Sequence, residues 1–266
     1  MKRSNRHRAL QTIVFTLAFA AWLSFTVTSC GPQLKDSFDP AMLSRTASWS
    51  CFSSAPIVAV GVITDVASAG RPRVPQKGSR ILLEPIRISI IVENVLRGEI
   101  QGPKAEIFGF HYSLEGQGNF PGKTFQPRPG QRRLFLLVKE SGILRLYVDE
   151  VRDFYAPIIA SGRHPALDAG VKGNPGKAIA WILLTPGEGL DESGFAVNLA
   201  FYTFVSMSVT HDEVYVFSLL ENLKKFSDER VRREAAGMQQ TIESEIKDGN
   251  WTDPTPPCPA HPPPAS

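Results

Sequence analysis

The spacing of apolar residues changes once along this chain, and the change limits the folds open to it. Ile86, Ile88 and Ile90 alternate with Arg87 and Ser89, the two-residue period of a half-buried strand. Later, Val216, Leu219, Leu220 and Leu223 fall at i, i+3, i+4 and i+7, and Val231, Ala235, Met238, Ile242 and Ile246 make a second stripe. That is the pattern of helices with one buried face. The switch comes after Tyr155. The reading is an α+β protein, with a β region over 51–155 and a mainly helical region over 156–250.

Within the β region, "IVAVGVITDV" (57–66) is rich in β-branched residues, and its lone Gly61 points to a bulge or a close backbone approach. Pro85 stands ahead of the alternating segment and marks an edge or a bend. "AEIFGF" (105–110) reads as a short strand. "RRLFLLVKE" (132–140) holds five consecutive apolar residues, as a strand covered on both faces does. "ILRLYVDEV" (143–151) alternates again, so Glu140, Ser141 and Gly142 are the turn of a hairpin. About five strands in roughly 100 residues fit a small barrel or sandwich.

In the helical region, "KAIAWILL" (177–184) reads as a short helix. Residues 191–208 read as a helix capped by Asp191, although their Phe, Tyr, Thr and Val also suit a strand. Thr210 and Glu213 have the spacing of a capping box, which makes His211-Asp212-Glu213 a helix start and not a metal or acid–base cluster. Residues 251–266, "WTDPTPPCPAHPPPAS", contain too much Pro to pack and read as a disordered tail.

The first 29 residues have a different character. "MKRSNRHR" carries Lys2, Arg3, Arg6 and Arg8 without an acid, and Ile13 to Val27 carries no charge. A basic stretch followed by an apolar one of this length is the pattern of a secretory signal, and it is short for a spanning helix. "VTSC", Val27 to Cys30, then resembles a bacterial lipobox: an aliphatic residue, two small residues and the Cys that receives lipid. The resemblance implies lipid attachment at Cys30, a tether over 30–50, and anchorage in the cell envelope, facing the periplasm or the exterior. Plain secretion and a retained single-pass anchor are the alternatives. Four of the 29 basic residues and none of the 26 acidic ones lie in this leader, so the remainder is nearly neutral. The chain's basicity is therefore no argument for nucleic-acid binding.

Three segments together carry a second resemblance. They are the strand ending "VGVITDV", the run into "VENVLRGE", and the "PGQRRLFLLV" that opens the hairpin. Val92, Val95, Leu96, Arg97 and Gly98, then Gly130 and Leu134 to Val138, resemble bacterial proteins with a TIMP/netrin-like domain. That implies an OB-type barrel of about five strands. Protease inhibition in that family uses a Cys at the mature N-terminus. Here Cys51 is internal and Cys30 is the expected lipid site, so fold analogy alone supports an inhibitor or a protease partner.

With Cys30 lipidated, Cys51 and Cys258 remain, either paired in an oxidising compartment or free as thiols. No catalytic, metal-binding or cofactor-binding set stands out, and neither G-x-S-x-G nor H-E-x-x-H occurs. The long segment from Tyr112 to Gln131 is the one to watch. His111, Tyr112, Phe120, Lys123, Phe125 and Arg128 are its candidates for meeting a partner, either an envelope protein or a polysaccharide. The expected function is a non-catalytic binding or scaffolding module on a lipid anchor. The alternatives are an envelope hydrolase with a site near the 112–131 loop, and a protease inhibitor or interaction partner.

Overall fold

Strands precede helices along the chain, apart from one short helix at the start. A computed structural model describes residues 50–72, 74, 81–114, 125–148 and 156–248. All of these lie in one unit, Asp39–Ser266. The strands are β1 (Ile57–Ser68), β2 (Ile81–Arg97), β3 (Lys104–Leu114), β4 (Arg132–Glu140), β5 (Ile143–Leu146) and β6 (Ile158–Ala160). The helices are α1 (Ser50–Ser54), α2 (Pro175–Leu184), α3 (Glu192–Thr210), α4 (Glu213–Leu223) and α5 (Glu229–Lys247). Among the described residues no helix is long and apolar enough to cross a membrane. The leader, the tether, Cys30, Cys258 and the Pro-rich tail lie outside the described residues.

The strands form one six-stranded sheet whose order returns on itself. β1 pairs antiparallel with β2, from Val58 opposite Arg97 to Ser68 opposite Ile86. Its other edge pairs with β4, from Ile57 opposite Leu137 to Val62 opposite Arg132. β2 and β3 are antiparallel, β4 and β5 form the expected hairpin, and β3 meets β5 in parallel. Neighbours therefore run β1-β2-β3-β5-β4 and back to β1. β6 joins β4 on the edge away from β1, at Arg132 and Arg133, where β5 has already ended.

Local chemistry explains several of these elements. At Gly61 the β1–β2 register slips, and a Cβ there would stand 2.8 Å from Ile90 Cδ1 and 3.0 Å from the Ile91 carbonyl oxygen. Both expectations for that glycine are met. Pro85 pairs with Phe110 beyond the end of the β1–β2 register, where its missing N–H leaves no second ladder short of a donor. Arg133 to Leu137 are buried in succession. Successive strand residues point to opposite faces, so β4 is covered on both. β3 runs past the expected end at Phe110 to Leu114, because residues 111–114 continue the register with 81–84 of β2. His111 and Tyr112 are thus strand residues and not the opening of a loop.

In the helical half, Asp191 caps α3 through Ser193 N, as expected, and the segment is helix rather than strand. The capping-box expectation needs a correction. Thr210 is the last residue of α3, its hydroxyl donating to the Ser206 carbonyl, and Asp212 is the cap of α4, accepting from Tyr215 N at 3.0 Å. His211 takes a left-handed conformation between them and closes α3 on the Met207 carbonyl. With so short a link between two helices, Thr210 is still helical and cannot serve as the cap. Strand residues such as Val58, Ile88, Ile107 and Leu134 share one continuous core with Ile179, Leu199, Val205, Leu220 and Ile242 of the helices.

Candidate functional site

The residues expected in a partner-binding loop are placed in different environments. His111 sits opposite Glu84 across β2 and β3, half-buried, with Nδ1 3.6 Å from Glu84 Oε2. Arg128 is exposed in a turn where its backbone N–H donates to Gln131 Oε1 at 3.0 Å. Phe125 is 1% exposed and belongs to the core. A partner cannot reach Phe125 without displacing it. Phe120 and Lys123, with the rest of 115–124, lie outside the described residues, as does the side chain of Tyr112.

Phe125 is buried beneath a cation that sequence reasoning passed over. The Arg133 guanidinium lies 5.0 Å from the Phe125 ring centroid and is itself 1% exposed. Nη1 donates to the Ala156 carbonyl at 2.7 Å, and Nη2 donates to the Gln126 carbonyl at 3.1 Å. Nε and Nη2 both donate to Gln131 Oε1. Arg133 thus ties the end of the β3–β4 connection and the entry to β6 onto β4. In "RRLFLLV" it reads as one more strand charge, and only its inward face sets it apart from Arg132.

A second corner surrounds Cys51. This residue of α1 is fully buried and disulfide-bonded. The chain's other two cysteines, Cys30 and Cys258, lie outside the described residues. Arg97 Nη1 donates to the carbonyl oxygens of Phe52, Ser53 and Ala55 at 2.7, 2.9 and 3.2 Å. Those carbonyls lie at the C-terminal end of α1, where helix groups lack intrahelical partners and carry partial negative charge. Gly98 follows with φ +73, and a Cβ there would stand 2.6 Å from the Pro56 carbonyl oxygen. The Arg-Gly pair of "VLRG" therefore holds the helix that carries the disulfide. On its other side α1 packs on α3, with Phe52 edge-on to Phe201 at 6.0 Å.

The remaining titratable clusters are structural joints. Asp212 caps α4 and also pairs with Lys177 Nζ at 2.7 Å, and the Lys177 hydrogen bond holds its carboxyl below the usual range. The Tyr215 hydroxyl donates to the Lys177 carbonyl at 3.3 Å. Burial, with the Asp168 and Asp212 charges nearby, pushes this phenol up to about 12, so it stays neutral. Among the described residues no group of three His, Cys, Asp or Glu is placed to hold a metal ion.

An open groove lies at the β3–β5 seam. The two strands pair only at Ile107 with Leu144 and at Phe108 with Arg145. Ahead of that contact, about 300 Å³ of open space separates the start of β3 from the β4–β5 turn, with Glu99 to Gln101 along its rim. Ile100, Phe108 and Leu144 are half-buried in its wall, and Ile143 is 43% exposed. Glu106 is paired with Arg87 at 3.6 Å. Lys104, Lys139 and Glu99 are exposed and make no ion pair among the described residues. The groove therefore offers an apolar wall, two uncommitted cations and one uncommitted anion. Sequence reasoning missed it because its residues come from two separated segments, 99–108 and 139–144.

No protein-family model matches the chain, and a search of curated proteins finds no match either.

Proposed function

We propose that the protein is an envelope lipoprotein, anchored through lipid on Cys30, whose folded unit is a non-catalytic binding module that takes its ligand in the β3–β5 groove. The observation that carries this reading is the oxidised, buried Cys51. Disulfides persist in oxidising compartments and are rare in the cytosol, which agrees with the secretory leader. Lipid on the Cys30 thiol leaves Cys258 as the partner of Cys51, so the tail is tied to α1. The β1-β2-β3-β5-β4 ring is read as an OB-type barrel of the TIMP/netrin-like kind. Its closure through β1–β4 and the parallel β3–β5 contact supports that reading. The binding role rests on the groove's uncommitted charges beside an apolar wall, whereas Lys177, Asp212 and Asp228 of the helical half are engaged in helix caps and an ion pair.

Palmitate labelling in a bacterial host tests the anchor. Label is expected on the wild type and lost with Cys30→Ala, and a wild type without lipid would sink the reading. Peptide mapping without reduction supplies an independent check, because a Cys30–Cys51 bond is incompatible with lipid on the Cys30 thiol.

A further inference from the structure

We infer that the groove at the β3–β5 seam binds a small amphiphilic carboxylate, an acid group on an apolar body. This rests on the binding-module reading above and names the ligand class of the same site.

The groove's charges decide the class. Four ionisable side chains besides Glu99 line or border it: Lys104 and Glu106 on β3, Lys139 on β4 and Arg87 on β2. Arg87 and Glu106 face each other at 3.6 Å and offset one another. That leaves Lys104 and Lys139 against Glu99, a local excess of one positive charge. Neither lysine has a carboxylate partner among the described residues, so an incoming anion displaces no existing pair. Exposed single ion pairs are weak, so charge alone does not hold a small anion such as acetate there.

The apolar wall supplies the rest. Ile143 is 43% exposed beside half-buried Ile100, Phe108 and Leu144. Covering apolar surface contributes about 25 cal/mol per Å² removed from water. The space of about 300 Å³ is at the lower end of the range for small-molecule pockets. Because β5 begins only at Ile143 and its pairing with β3 only at Leu144, the start of β3 has no paired strand on that side among the described residues. The wedge is therefore built by where the strands end and needs no rearrangement to admit a ligand.

The test is saturation-transfer NMR and calorimetric titration of the full chain carrying Cys30→Ala, with hexanoate, hexylamine and acetate as probes. Hexanoate is expected to bind saturably, and acetate and hexylamine at least about fivefold more weakly. Lys104→Gln and Lys139→Gln are each expected to weaken hexanoate by up to about fivefold, and raised salt to weaken it further. Ile143→Ser weakens hexanoate without changing its salt dependence. Unfolding midpoints of the variants, unchanged because all three side chains are exposed, separate a binding loss from misfolding. Hexylamine binding as tightly as hexanoate, or hexanoate binding unaffected by the lysine changes, overturns the ligand class and leaves the groove as a binding site. Absence of saturable binding by any probe overturns the groove itself, whatever the palmitate experiment shows.

Discussion

Arg97 Nη1 lies 2.7 Å from the carbonyl oxygen of Phe52, so the last residue of β2 caps the short helix that carries Cys51. The contact joins a strand near the middle of the β region to the first of the described residues. It also explains a motif that looked like a mere family signature, since Arg97 supplies the donor and Gly98 the left-handed turn beside it.

Arg97→Ala is expected to lower stability by about 1–2 kcal/mol, the worth of hydrogen bonds to a charged donor that is partly in water. Gly98→Ala is expected to cost about 1–3 kcal/mol, because an L-residue is strained at that φ and its Cβ meets the Pro56 carbonyl. Urea midpoints check both. A neutral Gly98→Ala would show that the turn relaxes.

Arg133→Met is expected to destabilise the protein by about 3 kcal/mol. It keeps the apolar stem but strands the buried carbonyl of Ala156 and the half-buried one of Gln126 without their donor. Arg133→Lys recovers little, since one ammonium cannot reproduce the planar fork. Limited proteolysis should cut first near Gln126 in both variants. Uniform cutting along the chain would argue against a local tie.

On the proposed Cys51–Cys258 pairing, reduction of the disulfide and Cys258→Ala should destabilise the protein to a similar extent, about 2–4 kcal/mol, as the loss of a bridge across a long loop implies. Denaturation with and without reductant measures this. If Cys258→Ala has no effect on the oxidised protein, Cys51 is bonded elsewhere.

His164 is expected to give the protein a pH dependence near neutrality. Its ring is edge-on to Trp181, with Nδ1 2.9 Å from the Pro165 carbonyl and Nε2 2.8 Å from that of Thr185. Burial, joined by the charge of Arg132, holds its pKa below the ordinary value even though both carbonyls favour the charged ring. The unfolded ring takes up its proton near about 6.5, and the folded ring only below that. Between the two values the unfolded chain binds more protons, so stability rises with pH through this window. It is fully present above about 6.5 and lost on acidification. Urea midpoints from pH 5 to 7.5 should show the slope in the wild type and not in His164→Gln. An opposite slope would mean that the two carbonyls hold the ring charged.

Much of the fold was legible wherever a residue's role is set by its immediate neighbours. The alternation through Ile90, the stripe through Ile242, the bulge at Gly61 and the cap at Asp191 are local properties, and each appears where the sequence placed it. The misjudged points depend on distant partners. β3 continues to Leu114 because residues 81–84 of β2 lie beside it. Phe125 looked like a surface aromatic and is buried because Arg133 reaches over its ring.

The sequence by itself determined the order of strands and helices and the small number of cysteines, and it carries the expectation of a leader with a lipid site. Local periodicity and composition suffice for those. Only the tertiary structure decided that the five-strand order returns on itself, that Arg133 points inward while Arg132 does not, and that Lys104 and Lys139 flank one apolar wedge. Such facts depend on which distant segments share an edge, and hydrophobic spacing along a single chain carries no record of that pairing.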